Sequence, residues 1–440
     1  LYNTIYHIHG RGYYENFKEN REAAEYNLEP IYDVDEKEIK RDLVRQKWVV
    51  SNQWGINPRL EIKHSGGTAS IGGSFYYFDS EHWGQVVWAE NITSSIDPRH
   101  RYYEYFGKKI YLSLYAVEDY RLAERLQLMA NLQFRHQTYD FDQTTLGAFA
   151  GQQYDLDWTF LSPRVGLTYG LTDKLSLLAS YSLSFRTPTD AEIYDADDPS
   201  KVPTLDVKSE RVHDFELGAG YADPQQSYSV NLYWMDFRNE IIPAGGINDD
   251  WVEITINAER SIHTGIEVAA ARRFGADFKL SGNFAYSYNR IKKMEVGESV
   301  FDNPDDWGWL EYNTYDYSDK IIPHFPEYIG NLIGEYSPGS LRLAYRARFI
   351  GLQHVENENQ RELAIDPYFI SSVSASFVVG DVLRLGNLIL SVRLDNIFDR
   401  EYYASGVGVG RFRDRNDGYA PAYIPAAGRS IFSTLSLELR

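Results

Sequence analysis

Acidic and aromatic side chains crowd one stretch, DNPDDWGWLEYNTYDYSD, where Asp302, Asp305 and Asp306 precede Trp307 and Trp309. Carboxylate oxygens at this density can ligate Ca²⁺, but the ordered spacing of an EF-hand loop is missing, so a solvated acidic loop is the plainer account. Asp249 and Asp250 read the same way. The two tryptophans offer flat contact area at a small entropy cost, or else they pack the loop from within. His82, His100, His136 and His324 lack the spacing of a zinc site. His82, in SEHWG, is the histidine that would serve a haem as axial ligand. The absence of cysteine excludes disulfides and thiolate metal sites. No nucleophile–base set and no phosphate loop stands out, so neither an enzyme nor a resident cofactor is expected. A net charge of −19 argues against a nucleic-acid partner, which would need a basic footprint.

The elements that must carry these residues are strands. In GNLILSVRLDNIFDREY, from Gly386 to Tyr402, Leu388, Leu390, Val392 and Leu394 alternate with Ile389, Ser391, Arg393 and Asp395. A period of two gives one apolar and one mostly polar face. The apolar face meets a second sheet in a soluble sandwich and lipid in a membrane barrel. The pattern recurs: Leu126, Leu128, Ala130, Leu132 and Phe134 oppose Gln127, Met129, Asn131, Gln133 and Arg135, and Leu177 to Phe185 oppose Leu178 to Arg186. Sixteen such strands are counted, most of about ten residues or more, the length that crosses a tilted bilayer rather than a globular sheet.

Short turns rich in Gly, Pro, Asp and Asn alternate strictly with long connections near 16–44, 84–101, 138–156, 187–209, 239–252, 292–325, 356–366 and 403–425. A barrel with one short-looped and one long-looped rim sorts its loops this way, and a sandwich has no reason to. Aromatics at 15%, with Tyr outnumbering Phe, suit interfacial girdles. Tyr13, Tyr14, Trp83 and Trp88 sit at strand-to-loop junctions, where girdle residues belong. No apolar run is long enough for a membrane helix. Only Glu19–Asn27 and Asp35–Val44 tolerate helix. The expected fold class is therefore all-β, an antiparallel transmembrane β-barrel. No signal peptide is visible, so the numbering is expected to begin inside a longer precursor.

These residues resemble the TonB-dependent outer-membrane receptors. NIFDREY (Asn396 to Tyr402) is similar to that family's penultimate-strand signature. PRVGLTY (Pro163 to Tyr169) and LLASYSLSFRTPT (Leu177 to Thr189) resemble its mid-barrel hairpin. SERVHDFELGAGY, NLYWMDFRNEI and NAERSIHTGIEV follow in the family's order, and PAAGRSIF resembles the entry to the closing strand. GRGYYENFKENREAAEYNL, RQKWV and EHWGQVVWAE look like the subgroup common in the Bacteroidetes.

The resemblance covers essentially the whole chain and implies one domain over 1–440, part of a barrel of about twenty-two strands. The plug and the first three hairpins would lie outside it, as would one or a few residues after Arg440. It implies an integral outer-membrane protein with extracellular long loops. A scarce nutrient, a ferric siderophore or other iron chelate, would be captured on loops and upper lumen and imported with TonB-derived energy. Trp307, Trp309, Tyr13, Tyr14, Trp83 and His82 are the ligand-binding candidates. Arg135, Arg186, Arg393, Asp395 and Glu438 would line the wall and face the plug. Partners implied are outer-membrane lipid, the chelate, the TonB complex through an N-terminal part not in this chain, and a surface lipoprotein. A passive porin-like channel and a surface adhesin are the alternatives. The family motifs and the lack of an obvious long loop folding inward count against the porin.

Overall fold

The structure, a computed structural model, describes residues 1–91, 100–196, 203–247, 253–302, 309–382, 386–412, 415 and 418–439. Alternation becomes strand nearly everywhere: β1 (Tyr2–Arg21), β2 (Arg41–His64), β3 (Gly67–Ala89), β4 (Arg101–Ala123), β5 (Leu126–Leu146), β6 (Gln153–Gly170) and β7 (Leu175–Arg186) come first. A single helical turn, α1 (Asp190–Ile193), precedes β8 (Glu210–Ala222), β9 (Gln226–Ile247), β10 (Glu253–Phe274) and β11 (Phe278–Lys293). Two short strands follow, β12 (Glu295–Phe301) and β13 (Trp309–Asp316), then β14 (Tyr328–Tyr336), β15 (Leu341–Ile350), β16 (Tyr368–Val382) and β17 (Gly386–Asp395). The chain closes with β18 (Tyr403–Phe412), β19 (Gly418–Pro425) and β20 (Ser430–Leu439).

Sixteen of these form one sheet in chain order, β1 to β11, β14 to β17, then β20. The other four, which the sequence pattern left inside long loops, form a second sheet ordered β13-β12-β18-β19. Its β12–β18 pairing is parallel, Val300 opposite Arg411 and Phe301 opposite Phe412. The two helix-tolerant stretches are not α-helical. Ala23–Tyr26 is one 3₁₀ turn, and the end of Asp35–Val44 is taken into β2. Pairing with neighbouring strands outweighs the local helix propensity there.

The chain divides into two compact units: residues 1–122, 128–165 and 185–208, and residues 123–127, 166–184 and 209–440. In the second unit the apolar faces fall into register from strand to strand. Leu390 lies opposite Phe377 on β16 and Leu435 on β20. Phe215 on β8 faces Trp234 on β9, and Val268 on β10 faces Phe284 on β11. These side chains are solvent-exposed, Leu390 at 47% and Leu435 at 67%. A continuous exposed apolar face of this extent suits lipid contact. On the opposite face Ser391 lies between Ser376 and Thr434. The first unit repeats this: Leu60 faces Ile71, and Phe75 faces Leu112. Gly275 and Gly339, at φ +66° and +58°, supply the left-handed residues of two short turns.

Strands β2 to β5, of 21 to 24 residues, are roughly twice as long as a crossing needs. Their surplus lies at the long-loop end, where the buried cores form. Tyr26, Leu43, Val86, Tyr102 and Leu146 make one core, and Tyr139, Phe141, Tyr154, Ile193 and Tyr194 another, both in the first unit. Ile242, Ala258, Ile291, Met294, Tyr317 and Ile322 make a third in the second unit.

Candidate functional site

In the first unit the strand register sets a wall of side chains on the polar face. Tyr76, Phe78, Ser80 and His82 of β3 lie opposite Tyr111, Lys109, Gly107 and Tyr105 of β4. They alternate with Phe75, Tyr77 and Ile110 of the apolar face, so period two alone assigns their side. Tyr76 and Tyr111 stack at 4.7 Å, and His82 and Tyr105 at 4.5 Å. The stack continues through Phe141, 4.9 Å from Tyr105, to Tyr154, 4.7 Å from Phe141. The Lys109 ammonium sits 4.5 Å from the Tyr139 ring centre and 5.9 Å from that of Phe78.

One stretch of chain folds onto this wall. β7 stops at Arg186, and Pro188 cannot extend a ladder. The sequence Thr189-Asp190-Ala191-Glu192 then makes a capping box, in which the Thr189 amide donates to Glu192 Oε2 at 2.6 Å. Arg186 Nη1 bonds both oxygens of the same carboxylate at 3.0 and 3.1 Å. Held this way, the turn buries Ile193, Tyr194 and Ala196 against Tyr139, Phe141 and Tyr154. The Tyr194 hydroxyl donates to Gln143 Oε1 at 3.0 Å, and Gln143 Nε2 donates to the Ala196 carbonyl. Asp190 forms an ion pair with Lys109. Residues 187–196 thus pack against β5 and β6, and the capping box that turns the chain there is a local signal.

Three expected site residues converge here. Arg135 Nη2 donates to the Phe185 carbonyl at 2.9 Å, with its guanidinium 4.8 Å from the Phe160 ring centre. Arg186 holds Glu192, and His82 lies on Tyr105. His82 stands beyond the apolar stretch of β3, and burial pushes its imidazole down to about 4, Lys109 assisting and Asp190 opposing. It is neutral at neutral pH. Burial likewise raises the Tyr139 and Tyr154 hydroxyls, with Asp190 adding to both.

The remaining candidates lie elsewhere. Tyr13, Trp48 and Trp83 are direct cross-strand neighbours, stacked at 4.3 and 5.6 Å, in the alternation class of the exposed Trp54. Arg11 and Arg101 cover this ladder at 5.2 and 4.3 Å. Tyr14 is half exposed, with the Lys47 ammonium 5.8 Å from its ring centre. Trp309 opens β13 at 62% exposure, and Asp302 is exposed just after β12. Trp307, Asp305 and Asp306 lie outside the described residues. Arg393 pairs with Asp395 at 3.0 Å and lies 4.8 Å from the Phe432 ring centre. Glu438 opposes Asn387 and is exposed. Among the described residues no set of three His, Asp or Glu side chains is arranged to hold a metal.

Sequence reasoning missed a second cation cage, in the second unit. Arg411 is 1% exposed, with its guanidinium 3.7 Å from the Tyr315 ring centre and 4.4 Å from that of Tyr419. Its Nε reaches Glu298 at 2.5 Å and its Nη1 reaches Glu358 at 2.7 Å. The Tyr419 hydroxyl donates to Glu298 and lies 3.0 Å from that of Tyr317. Burial raises the Glu298 carboxyl, with Arg411 opposing. Next to this cage Glu356, 1% exposed, accepts the Glu358 and Gln360 amides, and burial pushes its carboxyl up to about 7. No sequence signal marks this cage, because its members are brought together by three loops far apart in the chain.

A family model, TonB dependent receptor-like, beta-barrel, matches residues 2–397. Solved structures share the fold. The unliganded ferric citrate transporter FecA superposes with TM-score 0.63 at 18% identity, over 90% of this chain and 57% of its own. The ferric yersiniabactin uptake receptor FyuA from Yersinia pestis gives 0.62 at 15% identity, over 89% and 54%. The copper transporter OprC gives 0.66 at 15%, over 99% and 61%. This chain thus spans somewhat more than half the length of those proteins.

Proposed function

Because the chain belongs to the TonB-dependent receptor β-barrel family, we propose that it serves active nutrient import across the outer membrane. The nutrient proposed is a ferric siderophore or other iron chelate, captured at the long-loop rim and moved inward with TonB-derived energy. The single observation that carries this reading is the wall of Lys109, His82, Tyr105, Tyr139 and Arg135. It stands on the polar face of the first unit, on the long-loop side of the exposed Ile71, Phe75 and Ile110. Flat rings and cations suit a chelate with aromatic or anionic oxygens. In this reading the exposed apolar face takes lipid and the long loops face the outside of the cell.

The test is accumulation of radioactive iron by cells with and without the gene, before and after the proton gradient is collapsed. Gene-dependent uptake that stops with the gradient is expected. Uptake that survives the collapse would overturn the active reading. The passive channel is the second reading, and the segment 187–196 on the polar face favours it, since an inward segment can narrow a pore. Single-channel conductance separates the two: steady open current marks a channel.

A further inference from the structure

Lys109 and Asp190 form an unequal pair. The lysine side chain is 21% exposed with its ammonium on the Tyr139 ring, while the aspartate side chain is 49% exposed. Among the described residues Lys109 carries the only side chain bonded to the Asp190 carboxylate. An ion pair with one arm this wet contributes little net stability, so exchanging its anion costs little. The ammonium is different. The strand register sets the Lys109 backbone opposite Phe78, on a strand that does not pair with α1. Departure of the Asp190 side chain alone leaves Ile193 and Tyr194 packed with Tyr139, so the ring that receives the ammonium stays in place.

We propose that Lys109 and the Tyr139 ring form an anion subsite which Asp190 occupies in the ligand-free protein, and that an oxyanion-bearing chelate enters by displacing Asp190. This rests on the receptor reading and gives it a ligand class. One carboxylate or phenolate oxygen of the chelate takes the place of the Asp190 oxygen on the ammonium. A second anionic group finds Arg135, which lies on the same face of β5 and whose charge is felt at Tyr76. Arg135 Nε is buried and has no acceptor among the described residues, so one donor of this guanidinium is unspent. His82, neutral beside Lys109, adds no charge but can accept or donate one hydrogen bond. A ligand with two or more oxyanions is preferred over a neutral one despite the net charge of −19, because the local cations decide the field at contact distance.

The experiment uses the full chain in detergent and citrate as the probe, with trimethyl citrate as the uncharged control, measured by titration calorimetry. Asp190→Asn removes the internal competitor and is expected to tighten citrate about fivefold to tenfold. Lys109→Met is expected to weaken citrate at least tenfold and to cancel the gain from Asp190→Asn. Unchanged or weaker binding in Asp190→Asn overturns the proposal, as does full citrate binding in Lys109→Met or equal binding of the ester. If either variant fails to fold, hydrogen exchange on the wild type decides. Amides of 187–196 should lose protection when citrate binds, and unchanged or increased protection overturns displacement. Citrate exchange needs no energised membrane. Exchange without iron uptake in cells therefore sinks the receptor reading alone, and uptake without exchange sinks this proposal alone.

Discussion

Each unit holds a cation–tyrosine–carboxylate cluster among its own long connections, and the two clusters differ in wetness. Arg411 and Glu298 are 1% and 7% exposed, whereas Lys109 and Asp190 are 21% and 49% exposed. Arg411 spends its donors on Glu298, Glu358 and the Tyr317 hydroxyl, between two rings. It ties β12, β18, β19 and the loop 351–366 into one body, and a guanidinium suits that because its fork serves several acceptors at once. Lys109 offers a point charge to one carboxylate carried on a single helical turn. The same chemistry is thus a structural clamp when dry and saturated, and an exchangeable contact when half wet.

The comparison breaks most sharply at the buried cage. Arg411→Met leaves the Glu298 carboxylate buried without its counter-charge, which should cost about 3–5 kcal/mol. Hydrogen exchange over β12, β13, β18 and β19 reads this, and protection equal to wild type would show the cage to be no clamp. Next comes the membrane-facing band, which marks where the rim begins. Leu390→Arg should destabilise the protein by roughly 2–4 kcal/mol if it lies near the midplane, while Ser391→Arg on the polar face should be mild. Equal tolerance, measured by urea unfolding in lipid vesicles, would sink the face assignment. A smaller effect is expected from Glu356 beside the cage. Its folded pKa is raised, from 4.5 to about 7. The stability it contributes is therefore full below pH 4.5 and is lost as pH rises through about 7. Glu358 adds to the rise and Arg411 opposes it, both lying in the cage. Protease resistance of the 351–366 loop should fall over that window in the wild type and stay flat in Glu356→Gln.

Much of this was legible in the residues. Strict alternation in GNLILSVRLD and LQLMANLQFR fixed the two faces, because period two admits no other assignment, and all sixteen sheet strands were counted. Strand ends were not legible. β9 runs on to Ile247 and β5 to Leu146 because long strands keep pairing beyond the lipid, where hydrophobic alternation no longer marks them. The second sheet was hidden for another reason. β12 and β18 pair across a large sequence separation, and a single sequence carries no trace of which loops meet. At the candidate site, Arg135, Arg186 and His82 could be named from type and phase. Lys109 and Asp190 could not, since an ordinary lysine in a strand and an ordinary aspartate in a loop gain meaning only from the fold of 187–196. The Thr189–Glu192 capping box was the one clue to that fold.

The smallest expected effect is the one that tells the two clusters apart. If the Lys109–Asp190 pair is an exchangeable contact, Lys109→Met should change global stability by less than about 1 kcal/mol, within the range of exposed ion pairs. The methionine keeps most of the stem volume against Phe78 and Tyr139, and the Asp190 carboxylate left behind is wet enough to be solvated. Thermal unfolding of the wild type, Lys109→Met and Arg411→Met under one set of conditions makes the contrast direct. A loss at Lys109 as large as that at Arg411 would mean that Asp190 is held as a structural anion, and the distinction between a dry clamp and a wet contact would fall with it. A small loss at Lys109 beside a large one at Arg411 leaves exposure, rather than the identity of the charged groups, as what decides which cluster can trade its anion.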